Sequence, residues 1–151
     1  MSKIFTMCFI ENNNHLLLQK SIKKPFEGLW NAPGGKVEVY ESPMEACIRE
    51  IQEETGLEIN HPNFRGIITV TNVNKKSSDL LMLFHAKDFS GDLRDSDEGE
   101  IAWIETENIY LYDNTPDSFT CLLPYILETE STITGKIIYS KKKMELFDVI
   151  L

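Results

Sequence analysis

Arg49-Glu50-Ile51-Gln52-Glu53-Glu54-Thr55-Gly56 is the most informative run in the chain. It closes a segment with helix signals at both ends. Ser42 is placed to cap, Pro43 suits the first helical position, and Glu45 completes a capping box with Ser42. Gly56 is placed to stop the helix as a left-handed cap. Met44, Cys47, Ile48, Ile51 and Thr55 recur at i, i+3, i+4, i+7 and i+11, which predicts one mostly apolar face. Glu50, Glu53 and Glu54 fall together on another face, roughly 120° from the first. Three like charges so placed destabilise a helix by a few tenths of a kcal/mol per pair. Nothing in folding asks for that arrangement. A divalent cation neutralises it, and hard carboxylate oxygens suit Mg²⁺ or Mn²⁺.

Immediately upstream, Pro33-Gly34-Gly35 offers a backbone without side chains that can approach a ligand closely, and Glu38 and Glu41 add carboxylates. Further out, strands are expected at Lys3–Ile10 and His15–Lys20 around a polar turn, with loops at Ser21–Leu29 and Asn31–Glu41. Phe64–Val73 and Asp79–His85 read as a hairpin, Asp88–Gly99 as an acidic loop and Glu100–Glu105 as a short strand. A short helix from Thr106 and a longer one over Ser118–Thr129 follow, the latter with a kink or late start predicted at Pro124. Lys136–Ser140 and Glu145–Ile150 read as a closing hairpin. Strands dominate both halves around one strong helix, which is an α+β pattern rather than a run of βαβ units.

The chain of 151 residues is expected to form one domain over 1–151, large enough to bury a core without staples. Its longest aliphatic and aromatic run, Leu80-Leu81-Met82-Leu83-Phe84, is far short of the ~20 residues that span a bilayer. No signal peptide is evident, so a cytoplasmic protein with no membrane partner is expected. With 15 Lys and Arg against 24 Asp and Glu, the net charge of −9 argues against binding duplex nucleic acid. An acidic protein that handles an anionic substrate needs a cation as go-between. Cys8, Cys47 and Cys121 are far apart and odd in number, with no CxxC, and read as reduced packing residues.

Gly35, Glu41, Arg49-Glu50, Ile51, Glu53-Glu54, Gly56 and Leu57 together fill every specified position of GX5EX7REUXEEXGU, where U is a bulky aliphatic. The stretch resembles the Nudix box, complete over 57 − 35 + 1 = 23 residues. One departure is Tyr40, where many members carry Gly. The resemblance implies a Nudix fold, a mixed central β-sheet sandwiched between helices (α/β/α), with the box as loop–helix–loop. It implies hydrolysis of a nucleoside diphosphate linked to another group. It also implies that Glu50, Glu53, Glu54 and the Gly34 carbonyl hold the metal, that Arg49 pairs with Glu41 to brace the loop, and that Gly35 and Gly56 are structural. Metal ions bridge an acidic protein and a polyphosphate and lower the pKa of an attacking water. The base that takes its proton is a box glutamate, Glu50 or Glu53, or one from a distal loop, for which Glu98 is the candidate here.

Outside the box the chain is similar to the MutT-like oxidised-purine nucleotide hydrolases, including the animal 8-oxo-dGTP diphosphatases. The likeness rests on Trp30-Asn31 before Pro33-Gly34-Gly35, on Phe26, on Glu98 ahead of Trp103, and on Pro116-Asp117-Ser118, Leu122-Leu123-Pro124 and Gly135. It implies that Asn31 and Asp117 read the base, with Phe26 beside it, the amide of Asn31 offering both donor and acceptor to a purine edge. The stretch Asn114-Thr115-Pro116 does not reproduce the acidic pair and Trp of the animal enzymes. The expected function is therefore Mg²⁺-dependent hydrolysis of a (d)NTP to monophosphate and pyrophosphate, with 8-oxo-dGTP one candidate. Other nucleoside diphosphate derivatives and a non-catalytic nucleotide-binding module are the alternatives. Asn63–Asp79 lacks the Pro and Tyr that mark the ADP-ribose and dinucleoside polyphosphate branches. Monomer and homodimer are equally compatible with the sequence.

Overall fold

Cys8, Phe9 and Ile10 are consecutive and all buried, so the first strand, β1 (Ile4–Asn12), has to be covered on both faces. The computed structural model describes every residue except Met1, Lys24, Pro25, Asp95, Ser96, Glu98 and Lys142. After β1 come β2 (His15–Lys20), β3 (Trp30–Asn31), α1 (Pro43–Thr55), β4 (Glu58–Ile59), β5 (Asn63–Asn72), β6 (Ser77–Ala86), β7 (Phe89–Ser90) and β8 (Ile101–Glu105). The chain ends with α2 (Thr106–Ile109), α3 (Asp117–Leu127), β9 (Ile133–Ser140) and β10 (Lys143–Ile150). The main sheet runs β10-β9-β5-β6-β1-β2-β3, with β8 alongside β2, and β4 pairs with β7 apart from it. It is mixed: β1 lies parallel to β6 and β5 parallel to β9, while the other pairs are antiparallel.

Alternation along the strands divides the core. Cys8, Ile10, Leu17, Phe84 and Ala86 pack with Cys47 and Ile51 of α1. Phe9, Leu16, Leu18, Ile68 and Leu83 pack with Phe119, Leu122, Leu123 and Ile126 of α3. The sheet is thus sandwiched between helices. At its far end β1 meets β2 only through Glu11↔Leu16 and Asn12↔His15. The two strands diverge from there, and the glycine segment fills the gap. Thr6 N–H donates to Gly35 O (2.8 Å), Cys8 N–H to Pro33 O (2.9 Å) and Val37 N–H to Ile4 O (2.9 Å).

Four expectations need correction. Asn31 and Phe89–Ser90 lie in two-residue strands (Trp30–Asn31 and Phe89–Ser90) where loop was expected, and Glu58–Ile59 is a two-residue strand where no element was expected; each is made by its partner strand, not by local propensity. The last hairpin begins at Ile133, and α3 spans Asp117–Leu127 and runs through Pro124 without a late start. The apolar face of α1 is rotated from the sequence reading. Met44 and Ile48 are each 37% exposed, while Ala46 and Glu54 join Cys47, Ile51 and Thr55 in the interior. Cys8, Cys47 and Cys121 are free; a hydrogen bond donated by the Cys8 thiol to Cys47, together with burial, pushes that thiol up, which keeps it unreactive. No helix among the described residues is long and apolar enough to cross a membrane.

Two polar groups are fixed inside this frame. Arg65 of β5 is buried beneath the end of α3 and donates to the carbonyls of Tyr125 (2.9 Å), Ile126 (2.8 Å), Thr129 (2.7 Å) and Ser131 (3.1 Å). His85 of β6 meets Glu11 of β1, Nε2 to Oε1, at 2.7 Å. Burial holds the His85 imidazole below its ordinary 6.5; Glu11 pulls it back up, and the charges of Arg65 and Lys87 push it further down. As the pH falls below 6.5 the unfolded chain takes up a proton that folded His85 resists, so folding free energy drops until the folded value is passed. The urea midpoint is expected to fall between pH 7.5 and pH 5, and His85→Gln is expected to flatten that fall. An equally steep fall in the variant would assign it to other groups.

Candidate active site

The capping box forms as the sequence suggests. Ser42 Oγ accepts from Glu45 N–H (3.1 Å), and Glu45 Oε1 accepts from Ser42 N–H (3.0 Å). Gly56 ends α1 at φ 85°, its N–H bonded to Gln52 O. These two stops fix the phase of the helix, and with it the direction of its glutamates. Glu54 points inward and is only 6% exposed, its Oε2 accepting from Gly34 N–H at 3.2 Å. Because Pro33 O and Gly35 O both face β1, the intervening Gly34 carbonyl turns the other way, to the side where Glu54 lies.

The two glycines are there for different contacts. A Cβ on Gly34 would strike the Thr6 carbonyl oxygen of β1. A Cβ on Gly35 would fall on the Glu50 carboxylate, with both its oxygens at 2.6 Å. Glu50 is thereby pressed against bare backbone. Desolvation raises its pKa, Arg49 opposes that, the charge of Glu53 adds to the rise, and a hydrogen bond with Glu54 lowers it. Glu54 on Gly34 and Glu50 on Gly35 thus bring two carboxylates to one stretch of bare backbone, and a cation there would relieve their repulsion.

Arg49 organises the loop. Its Nε and Nη2 grip Glu41 at 2.6 and 2.9 Å, and Nη2 also reaches Lys36 O at 3.1 Å. The guanidinium holds the Glu41 carboxyl down at about 2. Nη1 touches Glu50 Oε1 (2.9 Å) and Glu53 Oε2 (3.2 Å), so this cation stands between two of the three box glutamates. Among the described residues no three acidic, His or Cys side chains already enclose one point, and Glu53 remains 57% exposed in the grip of Arg49. The donor set still fits a hard divalent ion: carboxylates crowded on a carbonyl that no side chain shields. Tyr40 sits beside this loop at φ 67°, fully exposed, in the left-handed conformation that Gly adopts without cost.

The glutamates open onto a cleft of about 1200 Å³. Gly34, Glu50, Glu53 and Glu54 form one wall, and Phe26 and Asn31 also line the cleft. Phe26 meets Tyr139 edge to face at 6.1 Å. Asn31 Oδ1 is taken up by Ala32 N–H (2.9 Å), which leaves the Nδ2 amide as its group for a ligand. Asp117 is not brought in. It is exposed at the first turn of α3 and caps nothing, while its neighbour Ser118 lines the cleft and accepts from Tyr139 Oη at 2.5 Å. Glu98 lies outside the described residues; its neighbours Asp97 and Gly99 line a separate hollow with Lys20, Ser21, Ile22, Glu27 and Gly28. Gln19, the cross-strand partner of Asn31, was missed. Its Nε2 is buried beside the cleft with no partner among the described residues. A Gln next to Lys20 at a strand end gives no signal in sequence.

The NUDIX domain profile matches residues 2–122. The chain belongs to the Nudix family. The Nudix hydrolase YvcI of Bacillus subtilis (strain 168) is 30% identical over 139 residues, covering 89% of this chain and 85% of that protein. The ADP-ribose pyrophosphatase of Methanocaldococcus jannaschii is 33% identical over 93 residues, covering 62% and 55%. The oxidized purine nucleoside triphosphate hydrolase of Danio rerio is 28% identical over 108 residues, covering 72% and 69%. The mutator MutT protein of Bacillus halodurans superposes with a TM-score of 0.88 at 24% identity, covering 97% of each chain, and shares the fold. This Nudix protein is a hydrolase acting on phosphoanhydride bonds. Nudix hydrolases generally use a divalent metal and act on small nucleotide substrates.

The Gly35 contact yields a direct test of the Nudix box. Gly35 has no positive φ, so Ala is allowed by the backbone, and what must move is the far end of Glu50. Gly35→Ala is expected to lower kcat by about 10²-fold, as for a misplaced reacting group, with only a small loss of melting temperature. Full activity in this variant would remove Glu50 from the reaction centre.

Proposed function

We propose that the protein is a metal-dependent nucleoside triphosphate pyrophosphohydrolase of MutT-like type, cleaving a (d)NTP to monophosphate and pyrophosphate, with 8-oxo-dGTP among its candidate substrates. The observation that carries this reading is the Glu50–Glu54 pair, pressed on Gly34 and Gly35 at one wall of a cleft whose other walls offer Asn31 and Phe26. Glu50, Glu53, Glu54 and the Gly34 carbonyl would hold Mg²⁺ or Mn²⁺. When bound, such an ion neutralises phosphate charge and acidifies water. Arg49 and Glu41 keep the loop and the helix in register, so that the carboxylates stay beside the bare backbone. Glu53, the exposed member, would orient the attacking water or accept its proton; Glu98 is the second candidate for that role. Asn31 supplies an amide to the base and Phe26 an aromatic edge, while Asp117 would act only through the field at the start of α3.

The test is release of monophosphate and pyrophosphate with Mg²⁺ or Mn²⁺ across the normal (d)NTPs, 8-oxo-dGTP, ADP-ribose and a dinucleoside polyphosphate. Preference for one or more triphosphates supports the reading, and Asn31→Ala should then lower kcat/KM more than kcat. Preference for ADP-ribose or the dinucleotide would overturn it while keeping the box chemistry.

A further inference from the structure

Cations are gathered where an acidic chain would not be expected to hold them. Lys3, Lys23, Lys36, Arg49, Lys75 and Lys141 all line the one cleft, in a chain of net charge −9. Arg49 is committed to Glu41, and Lys36 belongs to the glycine loop. Lys3, Lys75 and Lys141 are different. They come from three separate places in the sequence and meet at one end of the sheet. Lys3 precedes β1, Lys75 sits in the β5–β6 turn and Lys141 follows β9.

Backbone bonds fasten these turns together. Lys3 N–H donates to Asp79 Oδ1 (2.9 Å) and Leu80 N–H to Lys3 O (2.9 Å). Lys141 N–H donates to Asn74 Oδ1 (2.5 Å), and Val73 N–H to Tyr139 O (3.0 Å). The main chains are therefore fixed while the ammonium groups are left to solvent. All three residues are exposed, and none forms an ion pair with a described residue. Away from α1 the carboxylates lining the cleft are Glu38 and Asp79, and Asp79 already accepts from Lys3 N–H. Like charges gathered on a rim repel, and no ion pair among the described residues offsets that repulsion. An anion does.

We propose that Lys3, Lys75 and Lys141 form a subsite for the outer phosphoryl groups of the substrate, those that reach past the box glutamates. The inference rests on the reading of the substrate as a nucleoside polyphosphate. Lysine suits the task, since a compact charge with three donors on a flexible stem follows a phosphate chain without demanding one geometry. Clustering the charges at the mouth of an otherwise acidic protein also draws anions toward the cleft.

The experiment compares Lys3→Gln/Lys75→Gln/Lys141→Gln with a control of equal charge change, Lys76→Gln/Lys87→Gln/Lys143→Gln, whose residues do not line the cleft. Inorganic tripolyphosphate with Mg²⁺ is titrated calorimetrically into each, and KM and kcat are measured for the triphosphates the wild type accepts. The cleft triple is expected to raise the Kd for tripolyphosphate and the KM roughly tenfold at low salt, three exposed charge pairs being worth about that much together. Its kcat and melting temperature should hold, and the control should stay near wild type. An unchanged Kd, or an equal change in the control, overturns the subsite. Hydrolysis of triphosphates with no lysine effect sinks the subsite alone. Lysine-dependent binding of tripolyphosphate without triphosphate hydrolysis keeps the subsite and sinks the functional reading.

Discussion

Glu53→Gln is expected to cut turnover by about 10²–10⁴-fold, the range seen when a positioned acid–base group is lost. The substitution keeps the shape of the side chain and removes its charge. Arg49 Nη1, 3.2 Å from Glu53 Oε2, can still donate to an amide oxygen, so the brace to Glu41 survives. Glu53 is more than half exposed, and a surface change of this kind usually stays within about 0.5 kcal/mol of stability. The variant should therefore melt like the wild type, still bind nucleotide, and release almost no pyrophosphate. Steady-state assay with calorimetric binding checks all three. A wild-type rate would mean that the carboxylate on this turn of α1 takes no part in holding metal or water.

Arg65→Met is expected to destabilise the protein by about 3–5 kcal/mol, the scale for breaking a buried, hydrogen-bonded charge network. Arg65 reaches from β5 to the carbonyls of Tyr125, Ile126, Thr129 and Ser131. The last carbonyls of a helix have no partner within it and carry the negative end of its dipole. A guanidinium in their midst satisfies them and cancels that field. Methionine fills the volume and leaves the carbonyls stranded in the interior. Lysine keeps the charge but cannot fork to several acceptors, so Arg65→Lys should fall between. Urea unfolding followed by circular dichroism measures the loss, and one below about 1 kcal/mol would show that water serves these carbonyls equally well.

What was legible in the sequence follows the range of the forces involved. The ends of α1 were readable because Ser42, Pro43, Glu45 and Gly56 act on backbone within a turn of themselves. The box glutamates were readable as charge without a local purpose. The reason for Gly35 was not: it stands fifteen positions before Glu50, and only their approach in space makes a Cβ intolerable. Met44 and Ile48 misled the periodicity because Ala46 and Glu54 face inward in their place, Glu54 with its carboxylate on Gly34 N–H. Arg65 carries no signal in the sequence, because its carbonyl acceptors belong to the end of α3, about sixty positions on. Gln19 and the lysine rim depend wholly on which strands become neighbours.

The divided core has a further consequence, for how such a molecule changes over generations. The box glutamates ride on a helix anchored through Cys47 and Ile51 on one side of the sheet. Val70, Leu81 and Tyr139, which line the cleft, pack against the cluster on the other side. A mutation at Val70, Leu81 or Tyr139 acts on the cluster opposite the one that anchors the box helix. Lineages can therefore drift from one leaving group or base to another while inheriting the bond-breaking apparatus unaltered, and a library varied only at those positions is the place to select new substrates.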